Sequence, residues 1–152
     1  MSRSVENQSF LLCRLNTSWC ALEMQGLGEV MRPQPVDPIA GFPPFVEGVS
    51  IIRGEVTPVV DLTGLLCGQG GQFGALQRFV TIHSDGRQVA LRVDEVAGIQ
   101  VLEASIWQKL PALVEQVQGE HLTALASLGG ELLLLLRRAQ LLSPEQWARV
   151  CP

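Results

Sequence analysis

The sequence predicts a mainly β protein, with closed barrels or sandwiches as the favoured architectures. Three observations predict it. Short apolar, β-branched-rich runs recur in pairs around the turn signals Asn16-Thr17, Arg53-Gly54, Ser84-Asp85-Gly86 and Gly129-Gly130. The glycine-rich stretch Gly68–Gly74 separates two regions that both read as β-rich. Helix signals are brief, amounting to two or three small helices beside nine or ten strands.

Taken in order, Met1–Gln8 is polar and reads as a flexible tail, leaving residues 9–152 as a single domain. Ser9–Leu15 and Ser18–Met24 form the first predicted hairpin. Leu27 and Val30, three apart within Gln25–Met31, suit one helical turn. Arg32–Pro44 holds five prolines and reads as an irregular connection. Val49–Ile52 and Glu55–Val60 predict strands joined at Arg53-Gly54, where glycine tolerates the positive φ of a tight turn. Pro58 lacks an amide donor, which predicts an edge strand or a bulge. Asp61 is placed to cap a short helical turn over Leu62–Leu66.

Beyond the glycine-rich connector, Gln77–His83 and Arg87–Asp94 predict a second hairpin, and Val96–Leu102 continues the sheet. Trp107–Gly119 is ambiguous, with Pro111 interrupting it. His121–Leu128 and Glu131–Leu136 predict a further hairpin. Ser143-Pro144-Glu145-Gln146 places a cap, a proline at the first helical position and a glutamine three residues on, which predicts a short C-terminal helix.

A chain of 152 residues buries roughly 68–70% of the surface its unfolded form exposes, so no metal or disulfide staple is required. Apolar residues make up 47% and charged residues 17%, a composition opposed to disorder. The net charge of −4 and scattered Lys and Arg argue against a nucleic-acid partner, which needs a basic stripe. The opening MSRSVENQSF lacks a signal peptide's apolar segment, and Leu132–Leu136 is too short to cross a bilayer. These features point to the cytoplasm without membrane insertion.

No catalytic or cofactor signature emerges. His83-Ser84-Asp85 holds three residue types of a nucleophilic triad, but adjacent residues at a hairpin tip cannot converge. Gly68–Gly74 lacks the Gly-Lys-Ser/Thr of a phosphate loop. Cys13, Cys20, Cys67 and Cys151 show no metal-binding spacing. A cysteine-based redox or metal sensor using Cys13, Cys20 and Cys67 is the alternative function, and buried packing the plainer reading of those thiols. His121 and Glu120 lack ligand-spaced neighbours, so no metal site is expected.

Arg53 and Glu29 remain. Each is read either as a solvated residue or as a polar contact for a partner. Arginine combines a planar fork of donors with an aliphatic stem, and a rigid hairpin would limit the ordering cost of its use as an anchor.

The stretch from Pro43 to Leu62, PPFVEGVSIIRGEVTPVVDL, resembles the P-x-F-V-x-G-V-I-N-L-R-G-x-V-x-P-V-V-D-L pattern of the CheW-like adaptor family of bacterial chemosensory arrays. Ala90–Val96 resembles the family's G-L-x-V-D-x-V, Thr123–Leu136 its late aliphatic pattern, and Phe10–Met24 with Gly28-Glu29-Val30 its opening hairpin and turn. The resemblance spans residues 9–143. Departures are Ile51 where asparagine is frequent, Ala40 where proline is, and Arg137 where aspartate is common.

The resemblance implies two small SH3-like β-barrels packed side by side and no catalytic activity. It implies an adaptor bridging a methyl-accepting chemoreceptor's cytoplasmic tip, lying in the groove between the barrels, to the regulatory domain of a CheA-type histidine kinase at the barrel ends. By the same resemblance Arg53 and Glu29 are receptor contacts, with Leu27, Val30 and Ile52 as apolar neighbours. Gly48, Gly54 and Asp61 are structural. The kinase-facing residues are not assigned, and assembly with other CheW-like proteins into rings is left open.

Overall fold

A computed structural model describes residues 7–68, 74–84, 86–137 and 141–150. Ten strands succeed one another among them: β1 (Asn7–Leu15), β2 (Ser18–Glu23), β3 (Leu27–Met31), β4 (Val46–Ile52), β5 (Glu55–Asp61), β6 (Arg78–Ser84), β7 (Arg87–Val93), β8 (Glu95–Glu103), β9 (Leu122–Leu128) and β10 (Glu131–Leu136). Three short α-helices and one 3-10 turn (Ala104–Ile106) accompany them: α1 (Leu62–Cys67) after β5, α2 (Ala112–Gln118) between β8 and β9, and α3 (Pro144–Val150) after β10. No helix among the described residues is long and apolar enough to cross a membrane.

The turn chemistry does what the sequence leads one to expect. Arg53 and Gly54 both take positive φ, 53° and 78°, the pattern of a two-residue type I′ turn whose twist matches that of its flanking strands. Gly129 and Gly130 join β9 to β10 in the same manner, at φ 58° and 82°. Asp61 caps α1 by accepting a hydrogen bond from the Gly64 amide at 3.2 Å. Ser143 and Gln146 exchange the two bonds of a capping box, 2.8 and 3.2 Å, at the start of α3.

The strands form two five-stranded sheets, ordered β8-β1-β2-β10-β9 and β3-β6-β7-β5-β4. Each closes into a small barrel because the chain leaving one edge strand bridges to the other edge. After β3, Asp37 pairs with Val49 of β4; after β8, Gln108 pairs with Leu125 of β9. The molecule is therefore the pair of SH3-like barrels that the resemblance implies.

The connectivity is exchanged between the barrels. The chain runs hairpin, crossing strand, hairpin twice over: β1–β2, β3, β4–β5, then β6–β7, β8, β9–β10. The leading hairpin of each half lies in the sheet completed by the other half. Within each sheet one parallel pair, β2 with β10 or β5 with β7, joins these contributions.

Alternation along the central strands then fills three cores. On β1, Leu11, Cys13 and Leu15 face a core shared by both barrels, while Phe10 and Leu12 face the interior of their own. On β7, Val89, Leu91 and Val93 enter the shared core and Ala90 the interior of the second barrel, with Ile52, Val59 and Phe79. Strands buried on both faces read as near-continuous apolar runs, as LLCRL and VALRV do, each interrupted by a single arginine that is ion-paired.

Four expectations need correction or completion. Gln25–Met31 is not a helical turn: Leu27–Met31 is strand β3, bulged between Leu27 and Val30 where it pairs with β6. The three-residue spacing of Leu27 and Val30 reflects that bulge rather than a helical period. Pro58 is not on an edge strand, since β5 lies between β7 and β4; parallel pairing with β7 begins only at Val59, so no ladder donor is demanded of the proline. Asn7 and Gln8 belong to β1, paired with Glu103 and Leu102, rather than to the tail. The rest of the expected tail, residues 1–6, and residues 69–73 of the connector lie outside the described residues, as do Asp85 and Cys151.

Candidate functional site

Glu29 and Arg53 come from the two sides of the seam in the second barrel. Glu29 stands on β3, one edge of that sheet, and Arg53 on the turn between β4 and β5, at the other. The guanidinium meets the carboxylate through two near-parallel bonds, Nε to Oε1 at 2.8 Å and Nη2 to Oε2 at 2.7 Å. The Arg53 side chain nevertheless keeps 74% of its surface exposed, and that of Glu29 37%. The hydrogen bonds from Arg53 hold the Glu29 carboxyl below its usual range, and the same bonds raise the Arg53 guanidinium. The pair is fully ionised at neutral pH, with unused donors and acceptors facing solvent.

Two local devices place it. The left-handed backbone of the type I′ turn fixes Arg53 on a rigid hairpin tip. On the other side, the β3 bulge turns the Glu29 amide to the Thr81 hydroxyl, which accepts its hydrogen bond at 2.9 Å. Gly28 lies so close to that hydroxyl that a β-carbon would collide with it. Thr81, buried on β6, is the positioning residue that sequence reasoning missed; Gly28 was the available signal for a close approach.

The apolar surroundings are partly as expected. Val30 is 44% exposed, and Leu27 is half-buried against the shared core. Ile52 is 3% exposed and packs inside the second barrel, so it borders Arg53 from beneath the surface, whereas Ile51 is 62% exposed. The strand alternates sides, and two successive isoleucines hide which one faces out. Met31, Gln34, Ile51, Ile52 and Arg53 line a pocket of about 260 Å³.

Gly48, Gly54 and Asp61 take up bulge, turn and cap positions, respectively. Gly48 has φ 148° next to a β4 bulge, and a β-carbon there would strike the Asp37 carbonyl oxygen. The bulge frees Glu47 to receive Arg92, Nε to Oε2 at 2.6 Å and Nη2 to Oε1 at 2.9 Å, while Arg92 also donates to Gln77.

A separate apolar surface lies on the other barrel. Leu113 and Val117 of α2, 77% and 78% exposed, border a groove with Leu132 of β10 and Cys67 of α1. No residue of this groove is shared with the surroundings of Arg53.

The surroundings of Cys13, Cys20 and Cys67 do not support a sensor. Cys13 and Cys20 face each other across the first hairpin, fully buried and free. Burial pushes the Cys13 thiol up to about 12 and holds the Cys20 thiol well above its ordinary value, in the unreactive form. Cys67 is raised too, by burial and then by the carboxylates of Asp94 and Asp61. Among the described residues no three His, Cys, Asp or Glu side chains gather as metal ligands.

The described residues thus form a barrel pair joined through a shared core, with a fixed ion pair at one seam. Residues 9–146 match the CheW-like domain model, and the chain belongs to that family. It is 29% identical to the chemotaxis protein CheW of Klebsiella aerogenes over 143 residues, 94% of this chain and 86% of that protein. It is 26% identical to protein PilI of Pseudomonas aeruginosa over 116 residues, 76% of this chain and 65% of that protein. In three dimensions it resembles the scaffolding protein TtCheW of Thermoanaerobacter tengcongensis, with a TM-score of 0.77, 19% identity, and coverage of 89% of this chain and 92% of that one.

Proposed function

We propose that this chain is a non-catalytic adaptor of a bacterial chemosensory array, working in the cytoplasm beside membrane-bound receptors. It couples the helical cytoplasmic tip of a methyl-accepting chemoreceptor to the regulatory domain of a CheA-type histidine kinase. Family membership supports the adaptor role, and the named scaffolding and chemotaxis relatives support its setting.

The observation that carries the receptor assignment is the solvent-facing Glu29–Arg53 pair. An exposed ion pair adds only about 0–1 kcal/mol to stability, too little to account for two left-handed turn residues, a bulge and a buried threonine that hold it. A preorganised fork with spare donors is well suited to meet polar groups on a helical guest, and Val30 and Ile51 supply adjoining apolar contact. The separate groove around Leu113, Val117 and Leu132 gives an adaptor a second face. Its occupant is not assigned.

The test is titration of a soluble receptor-tip fragment against this protein and its Arg53→Asn variant. Asparagine suits the left-handed turn that alanine would strain, so backbone effects are separated from loss of the guanidinium. Weakening by about 1–3 kcal/mol with an unchanged unfolding transition supports the assignment. Equal affinities for the two proteins would remove Arg53 from the interface.

A further inference from the structure

Three side-chain atoms among the described residues are buried without a hydrogen-bond partner: Gln118 Oε1, His121 Nδ1 and Trp147 Nε1. Native interiors pair the large majority of such groups, so an orphan is informative. Two of the three residues, His121 and Trp147, line the same cavity, of about 730 Å³. That volume lies within the range of small-molecule sites.

The cavity lies where the two barrels and α3 meet. His121 immediately precedes β9 and Phe45 immediately precedes β4, while Arg87 begins β7 and Trp147 comes from α3. Phe45, Leu141, Leu142 and Trp147 give it an apolar wall continuous with the shared core. The rings of Phe45 and His121 stand edge to face, 6.0 Å apart. Arg87 is exposed and lies over the Trp147 ring, 5.0 Å from its centroid. No carboxylate among the described residues forms a salt bridge with it. Glu120, also exposed, is the one acidic residue among the described lining.

We infer that this cavity binds a small aromatic carboxylate. The flat apolar walls suit an aromatic ring. A carboxylate accepts through both oxygens, and the lining offers it donors: the indole Nε1–H, the imidazole in its Nδ1–H tautomer and the guanidinium of Arg87. Burial lowers the His121 pKa, so the imidazole is neutral near pH 7 and serves as a hydrogen-bond donor rather than as a charge. One arginine balanced by Glu120 suits a monoanion and disfavours a phosphate dianion. Neither ring nitrogen touches bulk water. Seating the guest therefore requires the His121 and Trp147 rings to turn toward it, and the bonds they gain offset a deficit that water does not relieve. None of these residues borders the Arg53 pocket or the groove around Leu113, so the inference stands apart from the proposed adaptor contacts.

The experiment titrates the intact, isotopically labelled protein with phenylacetate and, in parallel, with phenylacetamide, which matches its shape without the charge. By NMR the indole N–H signal of Trp147 should move downfield saturably as its hydrogen bond forms, while those of Trp19 and Trp107 stay in place. Phenylacetamide should bind about fivefold more weakly, the worth of one exposed charge pair. Arg87→Gln, a change at an exposed side chain, should lose the same factor for phenylacetate and nothing for phenylacetamide. His121→Phe keeps a ring and removes the nitrogen, and should weaken phenylacetate by about tenfold, as the loss of a hydrogen bond to a charged group. A Trp147 signal that stays in place, equal affinities for the two probes, or an Arg87→Gln loss shared by both would each overturn the inference. So would saturation that moves the Trp19 or Trp107 signal instead, which would seat the acid elsewhere.

Discussion

Gly48 illustrates how one missing side chain arranges a neighbourhood. Its β-carbon would strike the Asp37 carbonyl, whose bridge to Val49 closes the second barrel. Gly48→Ala is expected to cost about 1–3 kcal/mol from backbone strain, with further loss if the bridge opens, read as a lower urea midpoint. The thiols give a second prediction at this scale. Cys13 and Cys20 should resist a thiol reagent until denaturant is added, with Cys67 reacting slowly at neutral pH; rapid native-state labelling of Cys13 or Cys20 would contradict their burial. Arg53 and Glu29 were each legible in the sequence as charges in apolar surroundings. Their bond was not, because it joins residues 24 positions apart that meet only when the sheet closes. Ile51 and Ile52 were indistinguishable by type, since facing is fixed by strand register and not by the residue.

Short elements here depend on docking. α3 has seven residues, too few to persist alone in water. Its capping box defines where it starts, and Trp147, 5% exposed, fastens it to the shared core. Trp147→Ala should therefore destabilise by about 3–5 kcal/mol, against about 1 kcal/mol for Ser143→Ala, with urea midpoints ranking the two. Similar losses would mean that the cap, not the tryptophan, holds the helix. The cap and the hairpins were readable because their signals are local: a hydroxyl before a proline, a glycine between two apolar runs. β3 was not, because its strand conformation comes from pairing with β6 and its bulge disguised the period of two.

For the molecule as a whole, the decisive feature is the exchange of hairpins. The sequence showed two β-rich regions separated by a glycine-rich connector, and nothing in it told how the strands divide between the barrels. Each barrel is built from both halves, a long-range arrangement that no local pattern encodes. Separating the chain between Gly68 and Gly74 should leave two fragments that are each unfolded alone, since each lacks a hairpin of its own sheet. Mixed together they should restore dispersed NMR spectra and a cooperative transition. A lone fragment that folds would disprove the interdependence.

The continuous packing between the barrels has a mechanical corollary. Leu11, Cys20 and Leu134 from one barrel interlock with Val60, Ile82 and Leu91 from the other, and such interiors resist compression and shear. Among the described residues that boundary is continuous core. In the proposed adaptor role the protein would act as a set square, holding whatever sits on its two faces at one angle, so that a message between those guests would travel by their enforced alignment rather than by a bend in the piece that joins them.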